Sequence, residues 1–186
     1  MKKTLLDKIK YEFEGLKFLI RNLKASHHLS SMQTTAYNNY LLTGLTKNRI
    51  NELDQLHRTV RDGRGLNFWR KLFYRYRGTS VCGTVINKKN QLVGFNYYYF
   101  RNNESEEKII HEAFLGIAPQ ERGKGIATAL QKYTLEQLSR QPLTGVSGYV
   151  EKTNLASIKM LQRVGYDFDD DPRDPENNFK VYYPLI

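Results

Sequence analysis

The loop at residues 118–127 joins an apolar run to a segment with helical spacing, and it contains two glycines beside two cations. Residues 120–125 read Gln-Glu-Arg-Gly-Lys-Gly. The first backbone N–H groups of a helix have no intrahelical partner, and the helix dipole adds positive potential at the same end. Glycine lets an anion approach such N–H groups closely. This composition therefore predicts a binding site for a pyrophosphate group.

Two other phosphate-binding loops do not match this sequence. A nucleotide P-loop requires glycine at the position of Ala118 and Ser or Thr at that of Gly125, and a dinucleotide-binding turn requires glycine at that of Thr128. The pattern that matches is Gln/Arg-x-x-Gly-x-Gly/Ala, at residues 120–125. In this pattern the chain resembles the GNAT superfamily of acyl-CoA N-acyltransferases, in which the loop binds the pyrophosphate of coenzyme A. An ordinary glycine-rich turn is the alternative.

A second motif follows at residues 154–166. It resembles the family's Asn-x-x-Ala/Ser, a short helix and then Gly-Phe/Tyr. Asn154 can cap the N-terminus of this helix, and Gly165 can adopt the left-handed conformation that ends it. Together the two motifs imply acetyl-CoA as co-substrate, without a metal. By this resemblance, the residues predicted to contact coenzyme A are Leu115, Ile117, Arg122, Gly123, Lys124, Gly125, Ile126, Ala127, Asn154 and Ser157.

Acyl transfer to an amine requires a base, because an amine is mostly protonated at pH 7. The oxyanion that develops needs a donor already in place, which in the family is a backbone N–H on the fourth strand, here near Ile117. Glu112 is the candidate base, since the family often uses a glutamate on this strand and an apolar environment raises the pKa of a carboxylate. A solvent-facing or ion-paired Glu112 is the alternative. His111, on the opposite strand face, is the reserve base.

The general acid is where the chain departs from the family. Many relatives have a tyrosine seven residues after the motif asparagine, and here Leu161 holds that position. Tyr149, on the strand before the asparagine, is the candidate that protonates the departing thiolate, and Tyr166 or water is the alternative. This departure keeps a second function open, that of a non-catalytic acyl-CoA-binding or sensing module.

Composition limits the class of protein. The chain has 186 residues, 40% of them hydrophobic, which predicts one folded domain with a substantial core. The single cysteine, Cys82, cannot form an internal disulfide, fits a cytoplasmic location and is expected to be buried and inert. The four histidines show no metal-ligand spacing. No apolar window is long enough to span a bilayer, and the N-terminus does not resemble a secretory signal.

The formal net charge of +10 suggests anionic partners such as coenzyme A, nucleic acid or a membrane surface. Residues 4–24 predict an amphipathic helix with one apolar face and one rich in lysine and arginine. Packing of this helix on its own domain or on a second copy, as in a homodimer, is preferred to a peripheral membrane contact. No motif that reads nucleic acid is present, so a specific nucleic-acid partner is not expected.

After the N-terminal helix, hydrophobic periodicity predicts the order β-α-α-β-β-β-α-β-α-β. Helices are predicted at residues 4–24, 47–60, 65–75, 123–138 and 155–164, and strands at residues 40–45, 81–86, 92–100, 109–117, 146–150 and 181–183. This is the GNAT order, so the resemblance implies an α/β (α+β) fold with a mixed, mostly antiparallel sheet flanked by helices. Residues 1–39 are predicted as a helical extension and linker, and residues 40–186 as the acyltransferase domain.

The sequence therefore predicts an N-acetyltransferase that moves an acetyl group from acetyl-CoA directly to an amine. The acceptor is left open between an amino sugar, a peptide and a small amine. In the family its groove is built by the early helices, the loop after the third strand and the C-terminal segment. Here these regions hold an aromatic and basic stretch at residues 68–77, an aromatic run at residues 97–100 and an acidic stretch at residues 167–176. That stretch is either a rim that attracts a cationic amine or a solvated loop.

Overall fold

The computed structural model describes residues 4–185, which form a mixed sheet with helices on both faces. The helices are α1 (Leu5–Ser26), α2 (Ile50–Val60), α3 (Phe68–Val81), α4 (Ile126–Ser139) and α5 (Leu155–Val164). The strands are β1 (Thr35–Tyr37), β2 (Tyr40–Gly44), β3 (Cys82–Asn87), β4 (Leu92–Tyr99), β5 (Ile109–Ile117), β6 (Gly145–Glu151), β7 (Asp167–Asp170) and β8 (Asn178–Pro184). The strand order β1-β2-β3-β4-β5-β6-β8-β7 confirms the expected fold class.

Neighbouring strands are antiparallel except β5 and β6, which the chain joins through α4. Their parallel ladder has three residue pairs and ends at His111 and Ser147. Beyond this point β5 runs on to Ile117 and β6 to Glu151 without pairing to each other. A cleft therefore opens in the middle of the sheet.

A bulge in β5 decides which helix layer each of its side chains meets. The register with β4 leaves Ala113 as the extra residue. Phe114 meets the His57 ring of α2 with centroids 5.7 Å apart, whereas Glu112 faces α4 on the other side of the sheet. Strict alternation would put residues 112 and 114 on one face. The bulge thus separates Glu112 from the aromatic layer under α2 and α3.

The predicted order of elements is confirmed, and two short edge strands, β1 and β7, are added to it. Helix α4 begins at Ile126 rather than residue 123, because Gly123 and Gly125 have φ of +76° and +75°. Within the expected linker, Leu29 and Met32 are buried. The division of the chain between residues 39 and 40 stays a prediction.

Helix α1 packs on α3 through a face that includes Gly15 and Phe18, whose ring meets that of Phe73 with centroids 5.8 Å apart. A capping box between Thr4 and Asp7 starts the helix. A Cβ on Gly15 would lie 2.0 Å from the Trp69 ring, so the two helices touch closely there. The side-chain Oδ1 of Asn22 accepts from the Phe100 N–H at 2.6 Å, which ties α1 to the end of β4. Docking therefore uses residues other than the apolar face predicted from the sequence.

The predicted apolar face of α1 stays largely exposed. Leu5, Ile9, Phe13, Leu16 and Ile20 are 40–74% exposed. Only Leu23 of this face packs against the core. Helix α1 therefore packs on its own domain, one of the two expected arrangements, but it leaves most of the predicted apolar face uncovered. No helix within residues 4–185 has the length and apolarity to cross a membrane.

Candidate active site

A cleft of about 660 Å³ lies where β5 and β6 separate. Its walls come mainly from these two strands, from the first turn of α4 and from residues along the length of α5. Gly148 is the first residue of β6 after the ladder ends, and a Cβ there would contact the Glu112 Cβ at 3.8 Å and, more tightly, a Val181 methyl at 3.1 Å. The lining includes Arg61, Glu112, Phe114, Leu115, Ala127, Tyr149, Asn154 and Ser157.

The glycine loop leads into α4 with a backbone geometry that suits an anion. Gly123 and Gly125 both occupy the left-handed region, where a residue with a Cβ is strained. No side chain caps α4, so its first N–H groups have no side-chain acceptor. A Cβ on Gly123 would meet no atom within 4 Å. An anion can therefore reach the N-terminus of α4 without displacing protein.

Glu121 fixes the position of this loop. Its Oε2 accepts from the Tyr40 hydroxyl and from the Lys124 ammonium, each at 2.7 Å. Arg122 Nε donates to the Ile117 carbonyl at 3.2 Å and ties the loop to the end of β5. Both cations of the loop thus have protein partners, which leaves the N–H groups at the uncapped start of α4 as the donors for an anion.

Half of the twelve predicted site residues line the cleft: Glu112, Leu115, Ala127, Tyr149, Asn154 and Ser157. The others belong to the loop and the adjoining chain. Ile126 is 1% exposed, so only its backbone can contact a ligand. The predicted caps of α5 are confirmed: Asn154 accepts from the Ser157 N–H at 3.2 Å, and Gly165 ends the helix with φ of +100°.

Glu112 lies at the centre of a polar network under α4. Its Oε2 accepts from Gln131 Nε2 at 2.7 Å and from the Tyr166 hydroxyl at 2.8 Å. Burial raises the pKa of Glu112, and these two hydrogen bonds act in the opposite direction. Glu112 is thus half-buried at the cleft, and among the described residues neutral side chains rather than a cation bond its carboxylate.

Sequence reasoning missed the residues that complete this network. Asn96 Nδ2 donates to Gln131 Oε1 at 2.9 Å and to the Tyr98 hydroxyl at 2.6 Å. Tyr98 in turn bonds Thr134 Oγ1 at 2.8 Å. Asparagine in an apolar strand, and glutamine in line with Ala127 and Thr134 on the buried side of α4, are signals that could have pointed to them.

His111 points to the opposite face of the sheet, as predicted. Its Nδ1 lies 2.8 Å from Ser147 Oγ. Burial, with a smaller effect from Arg101, Arg173 and Arg70, lowers the pKa of His111 to about 3. The imidazole is therefore neutral at pH 7 and a much weaker base than its position alone suggests.

The two candidate general acids occupy different positions. Tyr149 lines the cleft and its hydroxyl accepts from Arg101 at 2.8 Å. Tyr166 is 5% exposed, does not line the cleft and donates to Glu112. Burial raises the pKa of Tyr166 well above its usual range. Tyr149 is thus the phenol that a ligand in the cleft can reach.

The acidic stretch does not form a rim of this cleft. Its first residues are β7, at the sheet edge beyond β8. Asp171 is 3% exposed and holds Arg173 at 3.0 Å, and Asp170 accepts from Lys152 at 2.6 Å. Residues 167–176 contribute no side chain to the cleft lining. The idea that this stretch attracts a cationic amine therefore has no support in the structure.

Two other predictions concern groups outside the cleft. Cys82 is fully buried, and this burial raises the pKa of its thiol, as expected for an inert core cysteine. Within residues 4–185, no cluster of three or more His, Cys, Asp or Glu side chains could hold a metal ion.

Comparison with known proteins gives a family match for most of the chain. Residues 50–166 match the acetyltransferase (GNAT) family. Mycothiol acetyltransferase of Renibacterium salmoninarum is 27% identical over 83 residues, which cover 44% of this chain and 25% of that protein. The match thus spans about a quarter of the length of the curated relatives.

Solved structures share the fold at low sequence identity. Arabidopsis thaliana Naa50, in complex with the bisubstrate analogue CoA-Ac-MVNAL, has a TM-score of 0.63 at 20% identity, covering 78% of this chain and 98% of that one. A phosphinothricin acetyltransferase from Sinorhizobium meliloti, in complex with AcCoA, has a TM-score of 0.63 at 13% identity, covering 79% and 89%.

Proposed function

This chain belongs to the acetyltransferase (GNAT) family, and we propose that it transfers an acetyl group from acetyl-CoA to an amine. The observation that carries this proposal is the cleft between β5 and β6, which places Glu112 beside an open space that also borders the uncapped start of α4. The bound CoA analogue of Naa50 and the AcCoA of the phosphinothricin acetyltransferase agree with it. The acceptor is proposed to be a peptide, an amino sugar or a small amine.

The residues present fit acetyl-CoA, which supplies the activated acetyl thioester. The loop at residues 120–125 would hold the pyrophosphate through its backbone N–H groups. Leu115, Asn154 and Ser157 would contact the part of the molecule inside the cleft. The open space at Gly123 and the absence of a side-chain cap on α4 support this assignment.

In the proposed mechanism Glu112 takes the proton of the attacking amine, either directly or through a water molecule. Its raised pKa suits it to this role near neutral pH. The backbone N–H near Ile117 stabilises the developing oxyanion. The new C–N bond forms as the C–S bond breaks, and Tyr149 returns a proton to the sulfur. The products are the N-acetylated amine and coenzyme A.

Calorimetric titration with acetyl-CoA, followed by a thiol-release assay over a panel of amines, tests this function. Micromolar binding with release of coenzyme A is the expected result. Binding without release for any amine would favour the acyl-CoA-binding or sensing module instead. A folded protein that binds no acetyl-CoA would contradict the proposal.

We also propose that α1 docks a cytoplasmic enzyme reversibly on an anionic membrane surface. The apolar face described above is exposed, and Lys10, Lys17 and Lys24 form an exposed row along one side of it. An apolar stripe beside a row of cations is the pattern of an interfacial helix. The formal net charge of +10 favours the same surface.

Sedimentation with vesicles of phosphatidylcholine and phosphatidylserine tests this docking. The wild type is expected to co-sediment, and the double variant Ile9→Asp/Phe13→Asp to stay in the supernatant, because two charges then interrupt the apolar face. Tyr76→Asp on α3, an equally exposed aromatic position at 67%, is the matched control and should still co-sediment. A wild type that stays in solution, or that forms a dimer lost in the double variant, would contradict the membrane role.

A further inference from the structure

We propose that the acceptor is an amine that also carries an oxyanion, a carboxylate or a phosphate, recognised by four arginines on the α2–α3 side of the cleft. This inference rests on the proposed acetyl transfer and specifies its acceptor. The four residues, called here the arginine rim, are Arg61, Arg70, Arg101 and Arg173.

The arginine rim surrounds one aromatic surface. Arg101 and Arg173 place their guanidinium carbons 5.2 and 4.1 Å from the centroid of the Tyr149 ring, which lines the cleft. The guanidinium carbon of Arg70 lies 5.2 Å from the Tyr99 centroid. The imidazole of His111 is buried and contacts both tyrosine rings. Burial lowers its pKa, and all three guanidinium groups lower it further. Three elements distant in sequence thus bring positive charge to one place.

Arg61 adds a fourth cation at the cleft itself. It lines the cleft together with Glu112, and its guanidinium carbon lies 4.9 Å from the centroid of Phe114. Burial raises the pKa of Tyr97, and the charges of Arg70 and Arg61 both act against this effect, so both arginines are near its hydroxyl. The rim therefore extends from the cleft along the aromatic layer under α2 and α3.

Protein carboxylates neutralise only part of this charge. Arg173 pairs with Asp171 at 3.0 Å, and Arg101 lies 3.8 Å from Glu104. Within residues 4–185, neither Arg61 nor Arg70 has a carboxylate at ion-pair distance, although both are half-buried. Half-buried, unpaired guanidinium groups favour binding of an anion, and their planar forks match carboxylate and phosphate oxygens.

The position of the arginine rim indicates that it binds the acceptor rather than acetyl-CoA. The arginine rim lies on the face of the sheet that carries His111 and Phe114, whereas the glycine loop leads into α4, which packs on the other face. The cleft connects the two faces, because Arg61 and Tyr149 line it together with Ala127 of α4. An amine held by its anionic group on the rim could reach the cleft from the side opposite α4.

Matched pairs of acceptors test this inference on the full chain. The pairs are alanylalanine with alanylalanine amide, and glucosamine 6-phosphate with glucosamine. The anionic member of at least one pair is expected to have a kcat/KM about tenfold or more higher, mainly through KM, with a preference that falls as salt is raised. The pair that responds distinguishes a carboxylate from a phosphate.

Arg61→Gln and Arg70→Gln are expected to reduce this preference towards one, whereas Arg70→Lys should keep part of it because the charge remains. Arg75→Gln, an exposed position on the same helix as Arg70, is the matched control and should keep the full ratio. Amines acetylated with no preference for the anionic member would overturn the inference and leave the acetyl transfer intact. Weaker acetyl-CoA binding in the two glutamine variants would also overturn it, because the rim would then serve coenzyme A.

Discussion

Replacing Glu112 by glutamine is expected to lower kcat/KM about 10²–10⁴-fold at neutral pH, the range that a positioned general base contributes. Glutamine has the same shape and can still accept the hydrogen bonds from Gln131 and Tyr166 through its Oε1, but it cannot take a proton from the amine. Thiol release at saturating acetyl-CoA measures the effect. The affinity for acetyl-CoA, measured by calorimetry, should stay the same because the glycine loop is untouched.

The pH profile separates a lost base from a disturbed fold. Because burial raises the pKa of Glu112, the wild-type rate should rise with pH through that raised value, as the carboxylate ionises. The variant should lose this rise. Glu106→Gln, at an exposed position, is the control and should keep both the rate and the profile. A Glu112→Gln enzyme with wild-type turnover would rule out Glu112 as the base.

The same substitution should not lower stability at neutral pH. A carboxyl whose pKa is raised on folding binds its proton more tightly in the folded than in the unfolded state, so the free energy of unfolding falls as pH rises from the usual glutamate range to the raised pKa. At pH values above the raised pKa, the buried ionised carboxylate continues to lower the free energy of unfolding. Glutamine removes this effect, so the thermal midpoint of the variant at pH 7 should equal or exceed that of the wild type.

Gly123→Glu is expected to weaken acetyl-CoA binding about 100-fold or more, which corresponds to about 3 kcal/mol. The space around the Gly123 Cβ is open, so the new side chain fits without a clash but puts a negative charge where the pyrophosphate is proposed to lie. Two unit charges 4 Å apart near a protein surface repel by about 4 kcal/mol. Calorimetry with acetyl-CoA measures the loss.

Two matched variants separate charge from backbone strain. Gly63 has φ of +81° and also has no atom within 4 Å of its Cβ position, so Gly63→Glu imposes the same strain and charge away from α4. This variant should bind acetyl-CoA normally. Gly123→Asn, with a neutral side chain that tolerates the left-handed region, should bind more tightly than Gly123→Glu. Equal affinity of Gly123→Glu and the wild type would show that the pyrophosphate lies elsewhere.

The sequence predicts most of the fold because the helices and central strands have long, regular apolar patterns. It does not predict β1 and β7, since three- and four-residue edge strands are too short for a period to appear. The helix at residues 65–75 in fact covers Phe68–Val81, because Asn67 caps it and packing carries it to Val81. The sequence also does not predict that the apolar face of α1 is exposed, because hydrophobic periodicity identifies such a face but not the surface that covers it.

Part of the candidate site can be predicted from local sequence, and the rest depends on tertiary packing. The glycine loop and the caps at Asn154 and Gly165 are local, and the sequence indicates them correctly. The partners of Glu112 come from α4 and from the second residue after α5, so only the packed structure brings them together. The acidic stretch suggested a cationic acceptor, whereas packing puts arginines from three regions beside the cleft. The charge of an acceptor site depends on which side chains converge, and a count along the chain does not give it.

The ladder between β5 and β6 has only three residue pairs, so few backbone hydrogen bonds join the two parts of the sheet. One part consists of strands β1–β5, and the other consists of β6, β8 and β7. A ligand that binds between the two parts raises the free energy of unfolding, because it binds the folded state and not the unfolded chain. If acetyl-CoA binds there as proposed, it should make the protein more resistant to unfolding and to proteolysis.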